Sequence, residues 1–163
     1  MSTKQAQKIL PAEEIAKLAE AERARQRKVI FANGCFDMLH VGHIRYLQGA
    51  KELGDILVVG INGDESVRKL KGNGRPLMPE DERAEIVAAL ECVDFVTVFA
   101  DLTVNNLLLA IKPDVHAKGT DYTEETVPER ATVASYGGRV AIVGDPKDHS
   151  TTELIERRQR TGL

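Results

Sequence analysis

The chain of 163 residues has no tryptophan, and only 4% of its residues are aromatic. That scarcity argues against a binder of single-stranded nucleic acid, which needs rings on which bases can stack. Nor is there a large charge of either sign. A formal net charge of -3 leaves no footprint for nucleic acid or for an anionic membrane, although a local basic pocket is still allowed. No apolar run approaches the roughly 20 residues that cross a bilayer. The first segment, MSTKQAQKILPAEEIAKLAEAERARQRK, lacks the apolar core of a secretory signal, so a cytoplasmic protein is expected. There are only two cysteines, Cys35 and Cys92. They share no metal-ligand spacing, and buried free thiols are the expectation. No internal repeat and no low-complexity tract occurs.

What is present is ordinary for a soluble globular chain, with 42% hydrophobic and 29% charged residues. The length supports one domain with a sizeable core. Short apolar runs alternate with helical patterns. KVIFAN (28–33) reads as a buried strand, and VGHIRYLQGAKELG (41–54) as a helix stopped by Gly54. DILVVGIN (55–62) is a second strand. The stretch 66–79, SVRKLKGNGRPLMP, is basic and then turn-rich. EDERAEIVAALECV (80–93) is a helix with acids in its first turn, where the macrodipole favours them. DFVTVFA, DVHAKG and RVAIVG supply three more strands. VNNLLLAIK, a segment from about Pro128 and STTELIERRQR (150–160) supply helices. The alternation predicts a doubly wound, Rossmann-like α/β domain over 28–163: a parallel five-stranded sheet with helices on both faces. Residues 1–27 form an N-terminal helical appendage in front of it.

In such sheets ligands sit at the carboxyl ends of the strands. NGCFDMLHVGH (33–43) falls there, after the first strand and into the first helix. It holds two of the four histidines, His40 and His43. Three apart at a helix start, they point to roughly the same side. Asn33 and Gly34 let backbone N–H groups approach a ligand, and Gly42 leaves room between the histidines. A helix N-terminus adds free N–H groups and positive potential, apt for phosphate. A zinc site would need a third protein ligand, for which Asp37 is the only near candidate. A merely packed turn is the remaining alternative.

GCFDMLHVGH resembles the H-x-G-H signature of the nucleotidyltransferase superfamily of small cytidylyltransferases and adenylyltransferases. The resemblance runs over nearly the whole chain. The stretch from Asn33 to Phe99, PDVHAKGTDY and STTELI look like the adenylyltransferase domain of bifunctional heptose-phosphate kinase/adenylyltransferases. Some bacteria carry that domain as a free-standing chain, and the length here fits it. The resemblance implies transfer of AMP from ATP to a heptose 1-phosphate, with Mg²⁺ and no resident protein-bound metal. Pyrophosphate leaves by in-line attack at the α-phosphorus, a reaction of positioning and electrostatics. His40, His43 and Lys71 are implied as catalytic. Asn33, Gly34, Cys35, Phe36 and Gly42 would hold the nucleotide from the first loop. Lys118, Gly119 and Asp121 would hold it from KGTDY, and Ser150 and Thr151 from the last helix start. Asp37, Lys69, Arg75 and Arg83 are candidates for the acceptor, although Asp37 could instead orient a lysine or Mg²⁺, and Arg83 could be a structural ion pair. His116 and His149 read as core packing and solvent exposure. A homodimer or larger homo-oligomer is implied, and a separate sugar kinase must make the sugar phosphate.

The family usually reads K-G-G-D-Y, so Thr120 is a departure. A rival reading is a cytidylyltransferase acting on glycerol 3-phosphate or a similar alcohol phosphate. Those chains usually carry RTEGISTT at the last motif. Here the stretch is DPKDHSTT, with Asp145 where that arginine would be. A second rival is a non-catalytic nucleotide-binding regulatory domain, against which the intact motif residues argue.

Overall fold

The computed structural model describes residues 3–146. Its five strands are β1 (Val29–Gly34), β2 (Ile56–Asn62), β3 (Phe95–Phe99), β4 (Val115–Lys118) and β5 (Arg139–Ile142). They form one sheet in the order β3-β2-β1-β4-β5, and every pairing is parallel. β1 and β2 are central and covered on both faces, which is why they read as near-continuous apolar runs without alternation. Their register runs from Val29 opposite Ile56 to Gly34 opposite Ile61.

Successive β1 residues feed opposite layers. Ile30 and Ala32 pack with Leu47 and Ala50 of α3 (Val41–Lys51) and with Ala84 and Val87 of α5 (Glu80–Ala88). Val29 and Phe31 pack with Ile15 of α2 (Ala12–Ala24), Leu108 of α6 (Asn105–Ile111) and Val133 of α7 (Arg130–Ser135). The expected doubly wound α/β sheet, helices on both faces, is therefore the fold. The seventh helix starts two residues after the expected Pro128. The final helix expected over 150–160 lies outside the described residues.

Two parts differ from expectation. Residues 1–27, expected as an appendage, are helical over α1 (Thr3–Ala6) and α2, but α2 is packed into the core through Ile15 and Ala19. Leu10 N–H donates to the Val96 carbonyl at 2.9 Å, and Val96 N–H donates to the Lys8 carbonyl at 2.8 Å. This short segment thus covers the β3 edge of the sheet. Second, the basic stretch after β2 is a helix, α4 (Asp64–Lys71). Acids occupy its first turn and bases its last, the arrangement the macrodipole stabilises. Glu80 accepts the Asp64 N–H at 2.7 Å, which satisfies one otherwise unpaired donor at the helix start.

Candidate active site

The strand order reverses between β1 and β4, and a cavity of about 500 Å³ opens there. One wall is the loop from β1 into α3. Phe36 adopts φ 48°, a left-handed conformation uncommon outside glycine. The reversal folds the Phe36 ring back into the core, where it meets the His43 ring edge-on at 5.3 Å. The fold gives Gly34 a packing role. Gly34 does not line the cavity. A Cβ there would meet the Phe36 ring at 3.1 Å, so the glycine makes room for that ring.

His40 is the N-cap residue of α3, in extended conformation. Its ring lies 3.9 Å from that of His43, centroid to centroid. Both rings and Gly42 line the cavity. His43 Nδ1 accepts the His40 backbone N–H at 3.4 Å, which places the ring proton on Nε2. Burial, and secondarily the His40 ring, push the His43 pKa down to about 4. His43 is therefore a neutral imidazole with one N–H to offer.

Cationic side chains approach from three other elements. Lys71 ends α4, Arg75 follows in the glycine-rich loop, and Lys118 ends β4; all three line the cavity. Asp37 fixes that loop. Its Oδ1 accepts the Leu77 and Met78 N–H groups at 2.6 and 3.1 Å, and its Oδ2 pairs with Arg75 Nε at 2.6 Å. Lys118 Nζ stands 3.5 Å from a Glu129 carboxylate oxygen and 4.8 Å from the centre of the Tyr122 ring. Gly119 and Asp121 complete that wall. Cys35 also lines the cavity. Burial raises its pKa, against the opposing charge of Lys71. Both cysteines are free but half-buried, more open than expected.

Two expected acceptor residues are not at the cavity. Lys69 is exposed on α4 and pairs with Glu65 at 3.5 Å. Arg83 is 0% exposed. It donates to the carbonyls of Met78, Cys35 and Asn62 and to Asp64. Of its two expected roles, the structural ion pair is the one the fold shows. Ser150 and Thr151 lie outside the described residues.

A model of the family described as cytidylyltransferase-like matches residues 31–157. The chain belongs to this cytidylyltransferase-like family. It is 54% identical over 143 residues to the bifunctional protein HldE of Pelobacter propionicus, covering 88% of this chain and 29% of that one. It is 51% identical over 150 residues to the HldE protein of Syntrophotalea carbinolica, covering 92% and 31%. The chain thus spans less than a third of the length of these relatives. A lipopolysaccharide core biosynthesis protein from Thermoplasma volcanium has a similar solved structure. Its TM-score is 0.65 at 26% identity, covering 74% of this chain and 99% of that one. The family resemblance read from H-x-G-H is therefore confirmed.

This cytidylyltransferase-like cavity also contains residues that the motif reading passes over. Arg45 and Tyr46, one turn into α3, line it. The Tyr46 hydroxyl donates to the Ala117 carbonyl at 2.8 Å, tying α3 to β4. Arg45 pairs with Asp145 at 2.5 Å. Thr120 Oγ1 donates to the Asp145 carbonyl at 2.7 Å, so the residue that departs from K-G-G-D-Y is bonded to the one that stands where the rival cytidylyltransferases have arginine. Helical spacing from His43 could have put Tyr46 on the same face. Nothing local announces Asp145, 100 residues from its partner Arg45.

Proposed function

We propose that the chain transfers AMP from ATP to a sugar 1-phosphate, heptose 1-phosphate in the favoured reading, releasing pyrophosphate. The carrying observation is the His40–His43 pair at the head of α3, with His43 neutral, faced across one cavity by Lys71, Arg75 and Lys118. Phosphoryl-type transfer asks a protein for positioned donors and cations around the reacting phosphorus. His43 Nε2–H, with its tautomer fixed from Nδ1, supplies a donor toward the oxygens on which charge grows. Lys71 and Arg75 balance the triphosphate and acceptor phosphate. The loop from Lys118 to Tyr122 takes the nucleoside. Ser150 and Thr151 are proposed to hold the β- and γ-phosphates.

Mg²⁺ would accompany ATP. Such an ion takes one or two protein carboxylates at most, with phosphates and waters filling its octahedron. Asp121, a hard oxygen donor in the cavity wall, fits that need. The ion would neutralise part of the triphosphate charge.

The HldE relatives are bifunctional by name, which is compatible with the separate sugar kinase that we propose upstream, and the structural relative's title places it in lipopolysaccharide core biosynthesis. We further propose a cytoplasmic homo-oligomer. Among the described residues, no helix is long and apolar enough to cross a membrane. A pyrophosphate-release screen tests the reading, pairing each nucleoside triphosphate with sugar and polyol phosphates plus Mg²⁺. Turnover with ATP and a sugar 1-phosphate is expected. Turnover only with CTP and glycerol 3-phosphate would replace the reading, and binding without turnover would favour a regulatory domain.

A further inference from the structure

We propose that His116 is a positioning residue for the nucleotide site: its ring holds the Asn33 carboxamide so that the amide nitrogen is presented to the ligand. His116 sits in β4 opposite Phe31 of β1 and is 0% exposed. A buried polar ring in the middle of a parallel sheet is costly unless it is hydrogen-bonded. Among the described residues its ring bonds to Asn33, with Nε2 3.0 Å from Oδ1. Its other nitrogen, Nδ1, has no hydrogen-bond partner among the described residues.

That asymmetry sets the tautomer. A buried N–H without an acceptor is rarer than a bare acceptor nitrogen. The proton therefore belongs on Nε2, donated to Asn33 Oδ1. Burial, and then the nearby Lys118 charge, lower the His116 pKa to about 3, which keeps the ring neutral at working pH. With Oδ1 held, the two amide hydrogens of Asn33 remain for the cavity, which Asn33 lines. On the other side of β1, Asn33 is opposite Gly60, which has no side chain to compete for the amide. The chemistry recognised is an acceptor oxygen, a ribose hydroxyl or a phosphate oxygen. Only the identity of that ligand as ATP rests on the proposed function.

The test is a mutant cycle in the full chain. His116→Leu should raise KM for ATP about fivefold or more with kcat within about twofold, the pattern of lost ground-state binding. His116→Gln, which keeps a donor at that depth, should recover most of the loss. In an Asn33→Ala background, His116→Leu should add nothing, because the amide it positions is gone. An equal loss in both backgrounds, or no loss in the wild-type background, overturns the proposal. The ring is also read directly by ¹⁵N NMR of the wild-type protein without ligand. An Nε2–H neutral tautomer down to about pH 4 is expected. An Nδ1–H tautomer overturns the proposal even if His116→Leu fails to fold. Absence of any ATP turnover by the wild type would sink the function reading and leave this NMR arm to decide.

Discussion

Arg83 of α5 donates to the Cys35 carbonyl at 2.6 Å, joining a helix that never touches the cavity to the loop that carries both histidines. The same side chain donates to the Asn62 carbonyl at 2.8 Å and to Asp64 at 2.7 Å. One guanidinium therefore fixes the ends of β1 and β2 and the start of α4. With the Met78 carbonyl, four acceptors converge there, which suits the guanidinium's planar fork of donors.

Arg83→Ala should lower unfolding free energy by about 3–5 kcal/mol, the scale for breaking a buried charged pair and leaving its acceptors unmet. Urea unfolding at neutral pH measures it. A loss under about 1 kcal/mol would mean that water replaces the guanidinium, and that Arg83 does not organise the site.

Two neutral histidines give a second expectation. Burial leads both shifts, to about 4 for His43 and about 3 for His116. An unfolded histidine titrates near 6.5. Between those values the unfolded chain binds more protons than the folded one, so stability must fall as pH drops below about 6.5. The His43 contribution to that fall ends near pH 4, and the His116 contribution near pH 3. Tm followed from pH 7 to 4 should decline less steeply in His116→Leu than in the wild type. Parallel slopes would show that His116 does not stay neutral in the fold.

Much of this was legible in the sequence. Strands such as VIFANG and ILVVGIN are continuous apolar runs, and H-x-G-H falls at the carboxyl end of the first. Helix α4 was not legible from periodicity, because DESVRKLK buries little besides Val67 and Ser66. Its acid-first, base-last order was the available signal. The packing of residues 8–24 was hidden for another reason. Ile9 and Leu10 meet Val96 across more than half the chain, and no local pattern encodes that. Arg83 is the same case. Its partners at positions 35 and 62 are sequence-distant, so an arginine on a charged helix looked as fit for a phosphate as for the core.

His43→Ala should lower kcat by about 10² or more while nucleotide binding changes less. A donor to developing phosphorane charge acts mainly in the transition state and is worth a few kcal/mol. Steady-state kinetics beside direct nucleotide titration separate the two. Near-normal kcat with only a raised KM would assign His43 to ground-state binding.

Activity should require Mg²⁺ and survive removal of transition metals. Among the described residues no three of His, Cys, Asp and Glu gather closely enough to hold a metal ion, whereas a triphosphate brings its own demand for a hard cation. Metal analysis and chelator titration test this. Stoichiometric zinc whose removal abolishes turnover would overturn the phosphate role of His40 and His43.

ATP should be preferred to CTP by at least about tenfold in kcat/KM, roughly 1.4 kcal/mol. The base is expected against the segment from Lys118 to Tyr122. There Thr120 Oγ1 reaches the Asp145 carbonyl and Asp145 in turn holds Arg45. The resembling cytidylyltransferases usually carry an arginine at the Asp145 position, whereas here a carboxylate stands there and pairs with Arg45. Thr120→Gly removes the hydroxyl tie but keeps the exposed ion pair, which contributes little by itself. That variant should raise KM for ATP modestly, about two- to fivefold, because the rim loses a positioned hydrogen bond of typical strength. Its kcat should hold, since Thr120 bonds to Asp145 and stands outside the histidine pair. Competition between ATP and CTP for one accepted sugar phosphate, in wild type and Thr120→Gly, measures both effects. Equal use of the two nucleotides by the wild type would refute the adenylyl assignment and leave the sheet, the histidine pair and the phosphate chemistry standing.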